Sequence, residues 1–259
     1  HSTAKPSPPL SADEHRLVAG PINGMTFRGM VSVRHATISI ARSTFKHAAG
    51  DDALSVQYGE FTIADSQFLD NSADALDADF SKGTSTIRRT AFRDSGNDGV
   101  DIDATNAVVE EVVVERSGDK GFSLGVGTEL RLVNSLIDTA AVGIAVKDDS
   151  SALLESVTIV EARSPVALYA DNKIFPDALA RATITASVIT KGAQNAVSAA
   201  RGTQLTIEKS IVEGGFSGAR ETISTETPQF RNAAARDYRL SVSPYDEMVG
   251  MKSLPKVPK

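Results

Sequence analysis

Asp74-Ala-Leu-Asp-Ala-Asp79 and Asp98-Gly-Val-Asp-Ile-Asp103 begin 24 residues apart and share one pattern: an acid, a small residue, then apolar and acidic residues in alternation. Alternation with a period of two marks a strand that buries one face. Upstream the pattern returns as Asp52-Ala-Leu-Ser-Val56. Downstream it returns as Lys120-Gly-Phe-Ser-Leu-Gly125, Val142-Gly-Ile-Ala-Val-Lys147, Ser164-Pro-Val-Ala-Leu-Tyr169, Asn195-Ala-Val-Ser-Ala199 and Ser217-Gly-Ala-Arg-Glu221. These starts lie 22, 24, 22, 22, 22, 31 and 22 residues apart. A second column keeps the same register, with starts at Ile40, Ile63, Ile87, Val109, Leu132, Leu154, Ile184 and Ile207 and spacings of 23, 24, 22, 23, 22, 30 and 23. Two columns in step over eight copies make this a repeat protein.

Each copy holds short runs rich in β-branched residues, broken by Gly, Asp, Asn or Ser, and no window carries a helical stripe. A period near 22 with two or three strands is one coil of a parallel β-helix, stacked about 4.8 Å from the next. The fold class is therefore all-β, a solenoid of about eight or nine coils. A leucine-rich repeat needs Leu-x-x-Leu-x-Leu with Asn, which is absent. Leu54/Val56, Leu76/Ala78, Val100/Ile102, Phe122/Leu124, Ile144/Val146 and Val166/Leu168 are expected to point inward. Ser43, Ser66, Thr90, Ser135, Ser187 and Ser210 are expected to stack at an inner corner. Residues 1–20, rich in Pro and Ser, read as a linker into a capping coil around Phe27 to Val33. The β-helix domain is assigned to 21–240 and a C-terminal tail to 241–259. The long spacing marks an insertion within Asp171 to Arg181, expected as a protruding loop. The segment from Thr227, including Asp237-Tyr-Arg-Leu240, is expected to cover the open end of the stack, and the last residues to fray.

The 259 residues are 41% hydrophobic and 23% charged, an ordinary globular balance. Aromatics are 5% with no Trp, so Val, Ile, Leu and Ala must build the core. The lack of Cys excludes a disulfide scaffold, a thiolate zinc site and a Cys nucleophile. A net charge of −6 argues against nucleic acid as the main partner, since phosphate binding needs a basic face. No apolar run approaches the ~20 residues of a membrane-spanning helix. The chain opens His1-Ser2 without Met, so a removed targeting segment would leave no trace. The expected setting is secreted, periplasmic or on a bacterial cell surface.

Between the inward pairs, one outward column reads Ser55, Asp77, Asp101, Ser123, Ala145, Ala167, Ser198, and the next reads Gln57, Asp79, Asp103, Gly125, Lys147, Tyr169, Ala200. Asp77, Asp79, Asp101 and Asp103 thus form a square, about 7 Å along a strand and about 5 Å between coils. Like charges directly opposite destabilise a sheet. Protonation, a nearby cation or Ca²⁺, which takes hard oxygen ligands, relieves the cost. Flanking the square run Asp52, Asp74, Asp98 and Lys120, where acids can equally close turns on their own backbone. Gly125 opens a slot between Asp103 and Lys147, large enough for a sugar ring. Lys147 is the better candidate base or carboxylate binder, and Lys120 is expected to bridge to Asp98. Tyr169 is placed to stack on or hydrogen-bond a ligand, and Ser123, Asp74 and Asp98 are assigned to substrate binding with it. His35 and His47 read as surface residues remote from the square.

With these residues laid out, the chain resembles the right-handed, single-stranded parallel β-helix proteins of the pectate-lyase-like superfamily. More narrowly, it is similar to bacterial β-helix modules associated with CotH-kinase-like proteins. The resemblance covers about Phe27 to Lys173 and is carried by Asp51-Asp-Ala-Leu-Ser55, Asp74 to Ser81, Gly96 to Asp103, Gly118 to Gly125 and Gly143 to Ser150. In those modules a Glu usually follows the Gly of the Gly-Asp-Lys segment, where this chain has Val126. Calcium-dependent lyases of the superfamily imply Asp77, Asp79, Asp101 and Asp103 as a metal cluster, with Lys147 or Lys120 as base beside Asp101. Polygalacturonase-like hydrolases imply Asp on neighbouring coils with a His and an Arg-x-Lys; the acids are present and the other two are missing. Three functions are therefore carried forward: a cation-dependent lyase of acidic polysaccharide, a non-catalytic glycan-binding or structural module within a larger surface protein, and a glycoside hydrolase with Asp77 and Asp103 across a water.

Overall fold

Eight strands pair in parallel into one sheet, from Ile38–Ala41 through Phe61–Ala64, Thr84–Arg88, Asn106–Glu110, Glu129–Val133, Ser151–Glu155 and Arg181–Thr185 to Gln204–Glu208. This is one wall of a parallel β-helix, one strand per coil. The computed structural model describes residues 29–170, 179–193, 195–216, 223–253 and 255–258. The linker, Phe27 of the expected cap, most of the 171–181 insertion and the Ser217 repeat lie outside these residues.

A 14-stranded sheet supplies the other two walls. What we term the first wall runs through Gly29–Arg34, Asp52–Gln57, Leu76–Asp79 and Val100–Asp103, then the second halves of the long strands Val113–Gly125, Leu136–Lys147 and Thr158–Tyr169, to Val197–Ala199. The third wall runs through Thr44–Lys46, Gln67–Asn71 and Ala91–Ser95, the first halves of the same long strands, then Val188–Ile189, Ser210–Val212 and Ile223–Ser224. Among the described residues there is no α-helix, only the 3-10 turn Ala233–Ala235.

Period-two alternation sends one apolar column from each wall into a single core. Leu54, Leu76, Val100, Phe122, Ile144 and Val166 are all buried there, with Ile63, Ile87 and Leu132 opposite. Phe45, Phe68 and Phe92 stack from coil to coil with ring centroids 4.6 and 4.9 Å apart, the spacing the strands impose.

The corners carry the strain. The chain turns through left-handed residues at the same place in successive coils, as at Arg42, Asp65, Arg89, Glu111 and Asn134, and again at His35, Tyr58, Phe80, Ala104 and Val126. Left-handed φ costs a non-glycine residue roughly 1–2 kcal/mol, so each corner needs compensation. The expected hydroxyl column supplies it. Ser66, Ser135, Ser187 and Ser210 each accept the backbone N–H of the residue one coil earlier and donate to a carbonyl two residues back. A second such column, which the repeat reading overlooked, runs through Ser85, Thr105, Thr128 and Ser150 at the opposite corner. At a third corner two coils leave no room for a side chain: a Cβ on Gly121 would lie 2.5 Å from the Gly143 carbonyl oxygen, and one on Gly143 2.4 Å from that of Pro165.

The C-terminal segment departs from expectation. It does not cap the end of the stack. Phe230–Asn232 and Asp237–Leu240 pair as an antiparallel ribbon, and the chain then runs back along the outside of the third wall. The reason lies in that wall's outer face, which from the fourth coil onward is apolar. Val113, Leu136 and Val160 are covered by Tyr238 and Met251, and Val188 and Ile211 by Leu240 and Val249. Asn134 receives the backbone N–H of Lys252 at 2.8 Å, and Arg93 donates to the Pro258 carbonyl at 3.3 Å. The described part of the last residues is therefore docked, not frayed.

Thr128 tests the hydroxyl columns. Its Oγ1 accepts from Thr105 N–H and donates to the carbonyls of Ile102 and Gly125, all within buried surroundings. Thr128→Val keeps the shape and leaves that N–H without a partner, so it should cost about 1–3 kcal/mol in denaturant unfolding. Ser43→Ala, at the more exposed start of the other column, should change stability by no more than about 0.5 kcal/mol.

Candidate functional site

The first wall brings the four acids together as the repeat requires. Asp77 pairs with Asp101 and Asp79 with Asp103 across adjacent strands. Ser55 and Gln57 precede them in register, and Ser123 and Gly125 follow. Because Val56, Ala78, Ile102 and Leu124 between them face the core, the acids must face outward. All four are half-buried rather than bathed in solvent. Ser55 Oγ and Gln57 Nε2 each donate to the adjacent acid, on Asp77 and Asp79, at 3.4 Å.

The flanking acids are occupied by the corner itself. Asp74 Oδ1 accepts the Asp98 N–H and Asn97 Nδ2, both at 2.7 Å. Asp98 Oδ1 accepts the Lys120 N–H at 2.8 Å. Both side chains are buried, and these two assigned binding residues sit at the corner, where they fasten one coil to the next. Lys120 Nζ lies 3.4 Å from Asp98 and also contacts Asp119. Those two carboxylates more than offset the burial that opposes its charge, and its pKa is held above the ordinary lysine range. It is a fixed ammonium. Asp52, not among the site residues assigned from the sequence, joins it: it is buried and its carboxyl group acts on that of Asp77. Its position at the head of the Asp74/Asp98 column is the signal that marks it.

Burial and repulsion from neighbouring acids push Asp52, Asp74, Asp77, Asp98 and Asp103 upward. Burial first, then Asp79, Asp101 and Asp74, raise Asp77. Asp52 is raised by burial, then by Asp77 and Asp74. Burial, partly offset by Lys120, lifts Asp98 to about 7. Asp103 rises to about 6 through burial and Asp101, with Lys147 pulling the other way. Asp101 is the shared source, since its charge raises Asp74, Asp77, Asp98 and Asp103 alike. Its own Oδ1 is buried without a hydrogen-bond partner, and so is Oγ of Ser123, the next residue in its column.

The slot expected at Gly125 is filled. A Cβ there would meet Asp103 Oδ1 at 2.3 Å, so the Asp103 carboxylate leans over the glycine toward Lys147. The missing side chain makes room for the neighbouring acid and not for a sugar. Tyr169 follows Lys147 in register, completing the column. Among the described residues no three His, Cys, Asp or Glu side chains converge as a ready-made metal site. The wall suits a hard cation in kind, with oxygen donors and two orphaned oxygens, but its carboxylates must rotate to close on one.

One further feature escaped the sequence reading. His35, Tyr58 and Phe80, each one residue past the outward column, stack with centroids 4.8 and 5.2 Å apart and planes 11° from parallel. The Arg34 guanidinium lies 5.6 Å from the Tyr58 ring. His47 stays apart, 4.0 Å from Asp70 on the surface.

The acid group fixes a pH dependence. A carboxylate whose pKa is raised on folding contributes stability fully present below its unfolded pKa and lost as pH rises through the folded one. With Asp103 at about 6 and Asp98 at about 7, the window is pH 4 to 7. Asp65, Asp94 and Asp237 are shifted down by Arg89, Arg116 and Arg239, but these pairs are largely exposed and act only near pH 4. In chelator-containing buffer the melting temperature should therefore fall between pH 5 and pH 8. Asp101→Asn should flatten that fall, raising stability at pH 8 and not at pH 5. A flat or rising wild-type profile would contradict the electrostatics described.

Against known proteins, the family model for the "Right handed beta helix region" matches residues 21–161. No curated protein and no solved structure gives a significant match. With more than half of the chain in that match, and eight parallel strands stacked in register along one wall, the protein belongs to the right-handed β-helix family.

Proposed function

We propose that this β-helix is an extracytoplasmic protein that takes an acidic polysaccharide on its first wall and cleaves it by β-elimination with the help of a divalent cation. The observation that carries the reading is the pairing of orphaned oxygens on Asp101 and Ser123 with acids raised by burial and by one another. Such a wall gains most from a cation, and its all-oxygen chemistry favours Ca²⁺. Asp77, Asp79, Asp101 and Asp103 would hold the ion, which would neutralise a uronate carboxylate and so acidify the C5 proton.

The residues of the chain supply the remainder. Lys120, fixed as an ammonium by Asp98 and Asp119, attracts substrate carboxylates and does not serve as base. That leaves Lys147, whose present partner is Asp103. With Asp103 turned into the wall toward the cation, the Lys147 ammonium would first give up its proton to water, and the neutral Nζ would then take the C5 proton. The C5–H electron pair forms the C4–C5 double bond, the C4–O bond breaks, and the departing oxygen takes a proton from water. Tyr169, beside Lys147 in the same column, orients the ring. The likeness of Gly118 to Gly125 to CotH-associated modules makes a place in a larger surface assembly part of this reading.

A second reading, a paired-Asp hydrolase, is favoured by the upward shift of Asp103 through burial and the nearby Asp101, the mark of a general acid. Strand spacing sets the backbones of Asp77 and Asp103 about 8 Å apart on the diagonal, and carboxyl groups at a similar separation would suit an inverting pair.

Addition of Ca²⁺ at pH 8 should raise the melting temperature, and polygalacturonate or alginate should yield an unsaturated, ultraviolet-absorbing product. Asp101→Ala should abolish both effects. Lys147→Ala should abolish the product and keep the Ca²⁺ shift. New reducing ends without ultraviolet absorbance would select the hydrolase. Polymer binding that persists in Asp101→Ala, with no cleavage by the wild type, would select a non-catalytic module.

A further inference from the structure

We propose that the open end of the His35–Tyr58–Phe80 stack is a sugar subsite, which takes one pyranose ring of the glycan against the free face of Phe80 over Ala104. This rests on the reading of the first wall as a glycan site and names the residue that grips the chain beside it.

The rings lie face to face along the helix axis, so every ring face except those at the two ends is used up. Phe80 ends the series. Its N–H bonds to the Asp103 carbonyl, and Ala104 follows it in the column, bonded in turn to Gly125. One face of Phe80 therefore rests on Tyr58, and the other looks down on a methyl group one coil below. Phe80 is 44% exposed, an unusual state for a large apolar side chain. Its φ of 56° is a conformation that a bulky residue adopts only at a cost. Asn or Gly would suit that corner better. Stacking on Tyr58 repays part of the cost, yet among the described residues no second ring stacks on its other face.

The surroundings are those a sugar needs. A ring lying under Phe80 would sit at the height of Ala104, level with Asp103, the preceding residue of the same coil. Asp79 precedes Phe80 directly, and Asp103 pairs with it from the coil below. These carboxylates accept from sugar hydroxyls, and the flat aromatic face takes the C–H side of the ring. A peptide would require exposed backbone partners, which a corner already bonded from coil to coil does not offer.

The test uses the full chain with Ca²⁺ and oligogalacturonate or oligoalginate as probes, with affinity measured by calorimetry and contact by ring-proton shifts of labelled phenylalanine. Phe80→Ala should weaken binding about tenfold, roughly 1.4 kcal/mol. Phe80→Trp should restore it, and Phe80→Leu, apolar but not flat, should not. The Ca²⁺-induced rise in melting temperature should stay unchanged in all three, which also reports that they fold. Binding by Phe80→Ala or Phe80→Leu within about twofold of wild type overturns the subsite and leaves the wall reading standing. A wild-type protein that responds to Ca²⁺ but binds neither probe overturns both. Concentration-dependent dimerisation lost in Phe80→Ala would give the ring face to a second copy instead, and overturns the subsite as well.

Discussion

Each coil can satisfy its backbone only by lying one strand spacing, about 4.8 Å, from the coils above and below. That demand is met here over three walls at once, and it forces residues 22 to 24 positions apart into vertical columns. The corners then have to bend the chain sharply without losing a hydrogen bond. Left-handed residues make the bends, and buried Ser and Thr hydroxyls replace the backbone partners the bends remove. Packing and polar satisfaction thus depend on one repeat length, and a one-residue slip would break both together.

The same stacking that rewards apolar and hydroxyl columns penalises charge. Elsewhere on the molecule acids meet bases across coils: Asp65 with Arg89, Arg88 with Glu110, Asp94 with Arg116, Arg93 with Glu115. The first wall does the reverse, setting acid over acid in three adjacent columns. Even Glu115 and Asp138, opposite one another on the third wall, are bridged by Arg236, whereas the first wall tolerates repulsion at a cost in stability. Departures of this kind from local consistency concentrate where function is served.

How far the sequence alone reveals these features depends on whether each one repeats. The inward pairs from Leu54 to Leu168, the hydroxyl corner and the acid square recur at fixed intervals, and the structure has all of them in register. The second hydroxyl column, Ser85 to Ser150, recurs too, but as single polar residues between strands it has no motif around it. The C-terminal strap is non-repetitive, and its destination is written in other residues: Val113-Val114, Leu136-Ile137, Val188-Ile189 and Ile211-Val212 are adjacent apolar pairs, one facing the core and one facing out. Doubled apolar residues break the alternation, and they mark a wall that needs cover on both sides. The Gly125 slot fails for a different reason. Column order gives the neighbour of a glycine but not the rotamer of that neighbour, and Asp103 turns into the space.

These constraints also decide which side of the helix is left for a ligand. The third wall is shielded by the strap from Val113 to Ile211. The second wall presents ion pairs that neutralise one another, including Arg131 with Glu155 at 2.6 Å, so it offers little net field to a charged polymer. Among the described residues only the first wall combines a cluster with more acids than bases, a fixed ammonium at Lys120 and an aromatic edge at Phe80 within a few coils. Their order along the chain matters as much as their chemistry. The aromatic column sits one residue past the acid column and ends at Phe80, with Asp79 just before it and Asp103 one coil below, so a sugar under that ring would meet the ring face and the Asp103 carboxylate at one height. A sugar held by both would be fixed in rotation as well as in height, which is the condition for presenting one particular C–H bond to one particular base.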